Sequence, residues 1–410
     1  MDSCVGFIEG GGISSVKGFR VNGIASGLKE LSFKDLGLIY SDTPCDVAAL
    51  FTKNKVKAAH IFVDGERLNN KISAIIVNSG NANCLTGGIG IKNALEMTSL
   101  VEKNLGLGEG SVLVASTGVI GKQLNMDVVR YGIEKLCRII KIENDEKNFS
   151  HSIMTTDRKI KTCACEFEIG GIRVRIGGAV KGAGMIKPDM DALPHATMLA
   201  FIVTDAKMEK KALKEALIEA TNLSFNRISV DNDTSTNDSV FLLSSGNAEN
   251  KEIKYKSEEY DIFVSHLTNI CQHLAKMIVR DGEGATKVVK IEVKNALTEI
   301  DAYKITRAIA DSYLVKTAIF GQSPNWGRIL AAVGYSGGKF ELEKLKLYFN
   351  DLLIFENGKV IHENESRAGS EMITNEMTIT IDLDLGRKDY FVWTSDLTCD
   401  YVKINANYLS

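Results

Sequence analysis

The chain has 410 residues, enough for two or three domains. Its 44% apolar and 25% charged residues are those of a soluble globular protein, and a net charge of −3 offers nothing to nucleic acid or to an anionic membrane. No apolar run approaches the length that spans a bilayer, and Met1 to Gly6 lack a basic region followed by an apolar core, so neither a membrane span nor a secretion signal is expected.

Gly10-Gly11-Gly12 opens the fold. Apolar runs at 72–77 and 112–115 predict buried strands, each running into a polar turn, Asn78 to Asn83 and Ser116-Thr117-Gly118. A strand that delivers small polar residues at its end is a rigid platform for an active site. Apolar positions three and four apart predict helices over 93–104, 126–140 and 209–222. Alternation over 162–176, broken at Gly170-Gly171, predicts a hairpin. Strands follow at 198–203 and 240–243, then a helix over 261–279. After Thr286 the chain changes character: a strand at 288–293, a helix over 303–319, and strands at 377–383 and 390–393. The final third, about 287–410, reads as a smaller α/β unit.

Eight scattered cysteines form no metal spacing and read as reduced thiols of a cytoplasmic protein. The six histidines form no metal pair, so no metal is expected. Gly106-Leu107-Gly108-Glu109-Gly110 precedes a strand, so it fails the context of a dinucleotide fingerprint. Gly282 to Lys287 lacks the spacing of a phosphate loop. The loop Asp231 to Asp238 lacks the glycine and glutamate of a calcium loop, and its hydroxyls and amides suit either a polar pocket or solvent.

Lys181-Gly182-Ala183-Gly184-Met185 carries a lysine on a glycine turn, and Thr197 stands directly before the strand at 198–203. If the Ala196–Thr197 bond is cut, the new α-amine becomes the general base for the threonine's own hydroxyl. His195 is a second candidate base. Thr117-Gly118 is placed to present a hydroxyl and an N–H to an oxyanion.

Seven motifs in order are Asn78 to Asn83, Ser116 to Gly121, Met154-Thr155-Thr156-Asp157, Lys181 to Met185, Ala196-Thr197-Met198-Leu199, Ser229 to Asp238, and Pro324-Asn325-Trp326-Gly327-Arg328. Together they resemble the glutamate N-acetyltransferase / ornithine acetyltransferase family of arginine biosynthesis over essentially the whole chain. The resemblance implies an α/β (α+β) fold: a layered αββα sandwich shared by two self-cleavage products, residues 1–196 and 197–410, with a smaller C-terminal domain. It implies acetyl transfer from N-acetylornithine to glutamate through an acetyl-Thr197 intermediate, with Thr117 and Gly118 as the oxyanion hole. It implies a substrate pocket of Thr155, Lys181, Thr197, Glu283, Asn405 and Ser410. No cofactor is implied, and acetyl-CoA is left open as a second donor, since the family holds members that use it and members that do not. The two products are expected to stay paired, as a dimer of heterodimers. Three places depart from the family pattern: a longer stretch before the cut at Asp191 to His195, Arg158, and Asn232 where glycine is common. The alternatives are an N-terminal-nucleophile amidohydrolase or aminopeptidase, which passes the acyl group to water, and an uncleaved binding protein.

Overall fold

The computed structural model describes residues 6–188, 190–191 and 198–407. In chain order these form β1 (Gly6–Ile8), β2 (Phe19–Ile24), β3 (Leu36–Thr52), α1 (Ala59–Arg67), β4 (Ile72–Asn81), α2 (Gly87–Leu105), β5 (Val112–Val119), α3 (Met126–Ile139), α4 (Glu146–Ile153), β6 (Lys161–Ile169), β7 (Ile172–Lys181), β8 (Met190–Asp191), β9 (Leu199–Thr204) and α5 (Lys210–Asn222). Then follow β10 (Ile228–Ser229), β11 (Ser239–Ser244), α6 (Glu258–Arg280), β12 (Val288–Ala296), α7 (Glu299–Ala310), α8 (Tyr313–Phe320), α9 (Trp326–Tyr335), β13 (Lys346–Phe349), β14 (Leu352–Glu356), β15 (Lys359–Val360), α10 (His362–Glu371), β16 (Glu376–Asp382), β17 (Lys388–Ser395) and α11 (Cys399–Asn407). They belong to two compact units. One takes the residues up to Asn226 and Asp233–Ile278; the other takes Arg227–Asn232 and the residues from Val279.

The first unit is built on a single sheet in the order β1-β6-β7-β9-β11-β3-β4-β5, with β2 and β8 as further partners of β3. Strand β3 bends it. Its first part pairs with β2 and β4, its last part with β11, and the register slips between Tyr40 and Cys45. The two wings then pack face to face. Val21, Ile39, Ile75, Val77 and Leu113 of one wing meet Ala179, Leu199, Phe201 and Phe241 of the other in a shared core. The alternate residues Leu38, Ala74, Ile76, Val112 and Val114 point the other way, under Met97 and Val101 of α2 and Ile133 and Leu136 of α3. This is the period of two expected of a strand. On the outer face of the second wing Gly178 leaves room for Leu274 of α6. The layers are therefore helix, sheet, sheet, helix, the mixed α/β sandwich expected. Strands from both sides of residue 196 interleave: β7 pairs with β9, and β11 with β3.

The second unit has a seven-stranded sheet, β10-β17-β12-β16-β13-β14-β15. Val289, Ile291 and Val293 of β12 face Ile305 and Ile309 of α7 and Val333 of α9 in its core.

Three sequence expectations need correction, and one long strand escapes them. The stretch 303–319 is two helices, because the Ser312 hydroxyl accepts the N–H of Val315 at 3.3 Å and starts α8 afresh. The polar residues 78–81 extend β4 and are not a turn, since Asn78, Ser79 and Gly80 stay in register with Ser116, Thr117 and Gly118. The helix expected from 93 begins at Gly87, a glycine-rich start that hides its first turn. Strand β3 is absent from the sequence expectations, for its apolar pattern is interrupted by Ser41-Asp42-Thr43-Pro44. The hairpin matches: β6 and β7 are joined at Gly170-Gly171, both with positive φ.

Candidate active site

In the first unit the parallel pair β4 and β5 sets Ser79 beside Thr117 and Gly80 beside Gly118. Gly118 has φ +133°, and a Cβ there would stand 2.3 Å from the carbonyl carbon of Gly80 and 2.4 Å from the nitrogen of Asn81. Only glycine fits. The asparagines of 78–83 brace this corner. Asn78 accepts from the Ser116 hydroxyl at 2.7 Å and donates to the carbonyl of Asn81 at 2.8 Å. Asn81 donates to the carbonyl of Lys122 at 3.0 Å, and its side-chain oxygen accepts the N–H of Asn83 at 2.8 Å. These satisfy carbonyls and amides that burial cuts off from water.

Asn237 ties the corner from the other wing. Its amide donates to the carbonyls of Ala82 at 2.6 Å and Ser116 at 2.7 Å. Its own carbonyl takes the His60 Nε2–H at 3.1 Å. Burial pushes the His60 imidazole down to about 4, so it works as a neutral donor. The loop 231–238 is thus largely buried and not a solvated loop, and its Asn237 serves as scaffolding. Asn232, in the second unit, has φ +71°, which asparagine tolerates better than other residues with a side chain; this accounts for its standing where glycine is common.

Lys181 ends β7, paired across from Leu199 at the start of β9. It is 4% exposed. Its ammonium donates to the Thr155 hydroxyl at 2.9 Å and to the Thr117 hydroxyl at 3.4 Å, and stands 3.9 Å from Asp157. Three of the residues singled out in the sequence therefore meet on one ammonium. Asp157 holds the arrangement. It accepts from Lys161 at 2.6 Å, from the N–H of Gly182 at 2.7 Å and from the N–H of Thr155 at 3.0 Å. Burial alone would raise its pKa, but Lys181, Lys161 and the Gly182 amide together hold it well below the usual carboxylate range. Nearby Asp238 is 1% exposed, and among the described residues neither of its carboxyl oxygens has a hydrogen-bond partner. Burial raises its pKa well above the ordinary value, against the pull of Lys181.

Lys29 lies beside this cluster and belongs to none of the motifs. Its stem runs over Gly80, where a Cβ would come 2.7 Å from the Lys29 Cγ, and its ammonium donates to the carbonyl of Met154 at 2.8 Å. Nothing local in the sequence marks it, because its place depends on a glycine 51 positions away. With Lys161 and Lys181 it makes three ammonium groups against the carboxylates of Asp157 and Asp35. The cluster of lysines suits an anionic substrate.

In the second unit Glu283 is 7% exposed and accepts from the Asn405 amide at 2.8 Å. The turn that carries it is pinned to the start of α11, where the Thr398 hydroxyl donates to the carbonyl of Gly284 at 2.8 Å. The structure thus brings together two more of the expected residues. Ala196, Thr197, His195 and Ser410 lie outside the described residues.

A model of the ArgJ family matches residues 20–410. The chain belongs to the ArgJ family. It is 42% identical to the arginine biosynthesis bifunctional protein ArgJ of Oceanobacillus iheyensis, over 98% of each chain. It is 43% identical to the glutamate N-acetyltransferase of Methanocaldococcus jannaschii, over 97% of this chain and 98% of that one. The crystal structure of the arginine biosynthesis bifunctional protein argJ of Bacillus halodurans has 40% sequence identity; the match covers 52% of this chain and all of that one, with a TM-score of 0.50. Membership makes this ArgJ-family chain an enzyme, an acyltransferase of arginine biosynthesis. Among the described residues no helix is long and apolar enough to cross a membrane, and no group of three His, Cys, Asp or Glu is placed to hold a metal ion.

Proposed function

We propose that this enzyme moves an acetyl group from N-acetyl-L-ornithine to L-glutamate, giving L-ornithine and N-acetyl-L-glutamate, with Thr197 carrying the acetyl group between them. The observation that carries the reading is the buried Lys181 ammonium shared by Thr155 and Thr117 beside the glycine-only corner at Gly118. That arrangement supplies a cation for a substrate carboxylate and a rigid strand end for an oxyanion.

Self-cleavage comes first. Thr197 Oγ attacks the carbonyl of Ala196, the peptide becomes an ester, and water releases the Thr197 amine. The shift to the ester is uphill unless the peptide is distorted, by about 1–3 kcal/mol per strained residue. In the mature enzyme the amine takes the Oγ proton as Oγ attacks the acetyl carbonyl. The tetrahedral oxyanion rests against Thr117 and Gly118, each donor worth about 2.7–4 kcal/mol. The intermediate collapses, the amine's proton passes to the ornithine nitrogen, and ornithine leaves. Glutamate then attacks the acetyl ester by the same steps in reverse. Lys181 binds the substrate carboxylate, and Glu283, steadied by Asn405, binds a substrate ammonium. Residues 1–196 and 197–410 remain paired after the cut, as a heterodimer that doubles with a second copy, in the cytoplasm. The interleaving of β7, β9, β11 and β3 supports their staying together.

The test is an assay of purified protein with glutamate and each donor separately. N-Acetylornithine should be consumed far faster with glutamate than without it; equal rates would mean an amidohydrolase. The acetyl-CoA arm decides whether that thioester also loads Thr197. A denaturing gel should show two bands, the second opening Thr-Met-Leu-Ala on N-terminal sequencing.

The tail offers a separate check. Deleting residues 405–410 removes Asn405 from Glu283, a hydrogen bond to a charged group worth about 1.5–3 kcal/mol. The KM for N-acetylornithine should rise, or kcat fall, by about 10- to 100-fold at that energy. Two bands should still appear, because the cut depends on the other unit's residues. Unchanged kinetics would remove Asn405 and Ser410 from the substrate pocket.

A further inference from the structure

The two amino acids that must exchange at one site carry opposite charges at their far ends. Ornithine ends in an ammonium, glutamate in a second carboxylate. Glu283 answers the first, and none of the residues assigned above answers the second. We infer that Lys29 is the residue that binds glutamate's second carboxylate and so determines the acceptor. The inference rests on the transfer reaction proposed above.

The geometry is built from both ends of the side chain. Asp35, fully buried, accepts the backbone N–H groups of Ser26 at 2.7 Å, Gly27 at 3.1 Å and Lys29 at 3.0 Å, which fixes the loop. The stem then lies on Gly80, the register partner of Gly118. The ammonium reaches the carbonyl of Met154, the residue before Thr155, whose hydroxyl takes Lys181. Lys29 therefore spans from the oxyanion corner to the carboxylate site. The Met154 carbonyl uses one of its three protons, and no carboxylate lies within ion-pair distance among the described residues. Burial lowers Lys29 to about 8; Asp35 opposes this, Lys181 adds to it, and Asp157 opposes it. A half-buried ammonium beside a second ammonium gains most when an anion arrives.

Ping-pong chemistry lets the two halves be measured apart. Lys29→Met should raise the KM for glutamate by about 10- to 100-fold, the loss of a charge-assisted hydrogen bond. Exchange of labelled ornithine into N-acetylornithine, which never involves glutamate, should stay within about twofold. Lys29→Arg keeps the charge and should recover most of the glutamate affinity. In the wild type the ratio of KM for glutamine to KM for glutamate should be large, and should fall as pH rises through about 8, where free Lys29 loses its proton. The ratio cancels the titration of the attacking amine, and in Lys29→Met it should be small and flat. Equal loss of both half-reactions would make Lys29 a structural tie to Met154 and overturn the inference, as would an unchanged KM for glutamate. Absence of ornithine exchange in the wild type would instead overturn the transfer reading, and the inference with it.

Discussion

Thr197→Ala is expected to give one band on a denaturing gel and no acetyl transfer above background. Loss of a catalytic nucleophile in a hydrolase typically costs on the order of 10⁴–10⁶ in kcat, and in the proposed mechanism the same atom performs two reactions. Without Oγ no ester forms at Ala196, so the amine that would serve as base is never released. The two losses can be separated. Residues 1–196 co-expressed with residues 197–410 carrying Thr197→Ala supply the free amine without the hydroxyl, and should still be inactive. The folded state should survive, because β9 starts at Leu199 and is held on both sides, by β7 and by β11. Thr197→Ser keeps the hydroxyl and should cleave. Acetyl transfer by a well-folded alanine variant would place the nucleophile elsewhere.

How much of this can be read in the sequence depends on the range of the interactions involved. The hairpin at Gly170-Gly171 is legible because alternation and turn chemistry are local. The break between α7 and α8 is not, since the apolar period runs through Asp311-Ser312 and only the serine's bond to Val315 ends it. Strand β3 is hidden because its two parts serve different wings, so no single alternation covers it. In the site, Thr117, Gly118, Thr155 and Lys181 are legible through motif resemblance, and the structure gathers them at Lys181 and at the corner beside it. Their supports are not. The loop of Asn237 suits a polar pocket or solvent by its sequence, yet the Asn237 amide is spent on two buried carbonyls. Lys29 stands in none of the motifs; what places it is the absence of a side chain at Gly80.

Gly118→Ala is the second substitution with a large expected effect, and the stated oxyanion role turns on it. The new methyl would lie 2.3 Å from the carbonyl carbon of Gly80, 2.4 Å from the Asn81 nitrogen and 2.7 Å from the Gly80 Cα. All three are backbone atoms of the paired strand, so no side chain can rotate away. The residue would also have to hold φ +133°, which alanine rarely adopts. Strand β5 must therefore move off β4 at its end or flip the Thr117–Gly118 peptide. Either change removes the proposed oxyanion donor, worth about 10²–10³ in kcat. It would also spoil the 3.4 Å approach of Lys181 to Thr117. The core residues Val112 to Ala115 lie outside the disturbance, so the melting temperature should fall by a few degrees while the sandwich persists, in keeping with about 1–3 kcal/mol for a distorted residue. Kinetics should show the loss mainly in kcat, with the KM for glutamate little changed, because in the proposed binding mode Lys29 and Lys181 still hold its carboxylates. A Gly118→Ala enzyme that folds, cleaves and turns over at the wild-type rate would remove Gly118 from the oxyanion hole.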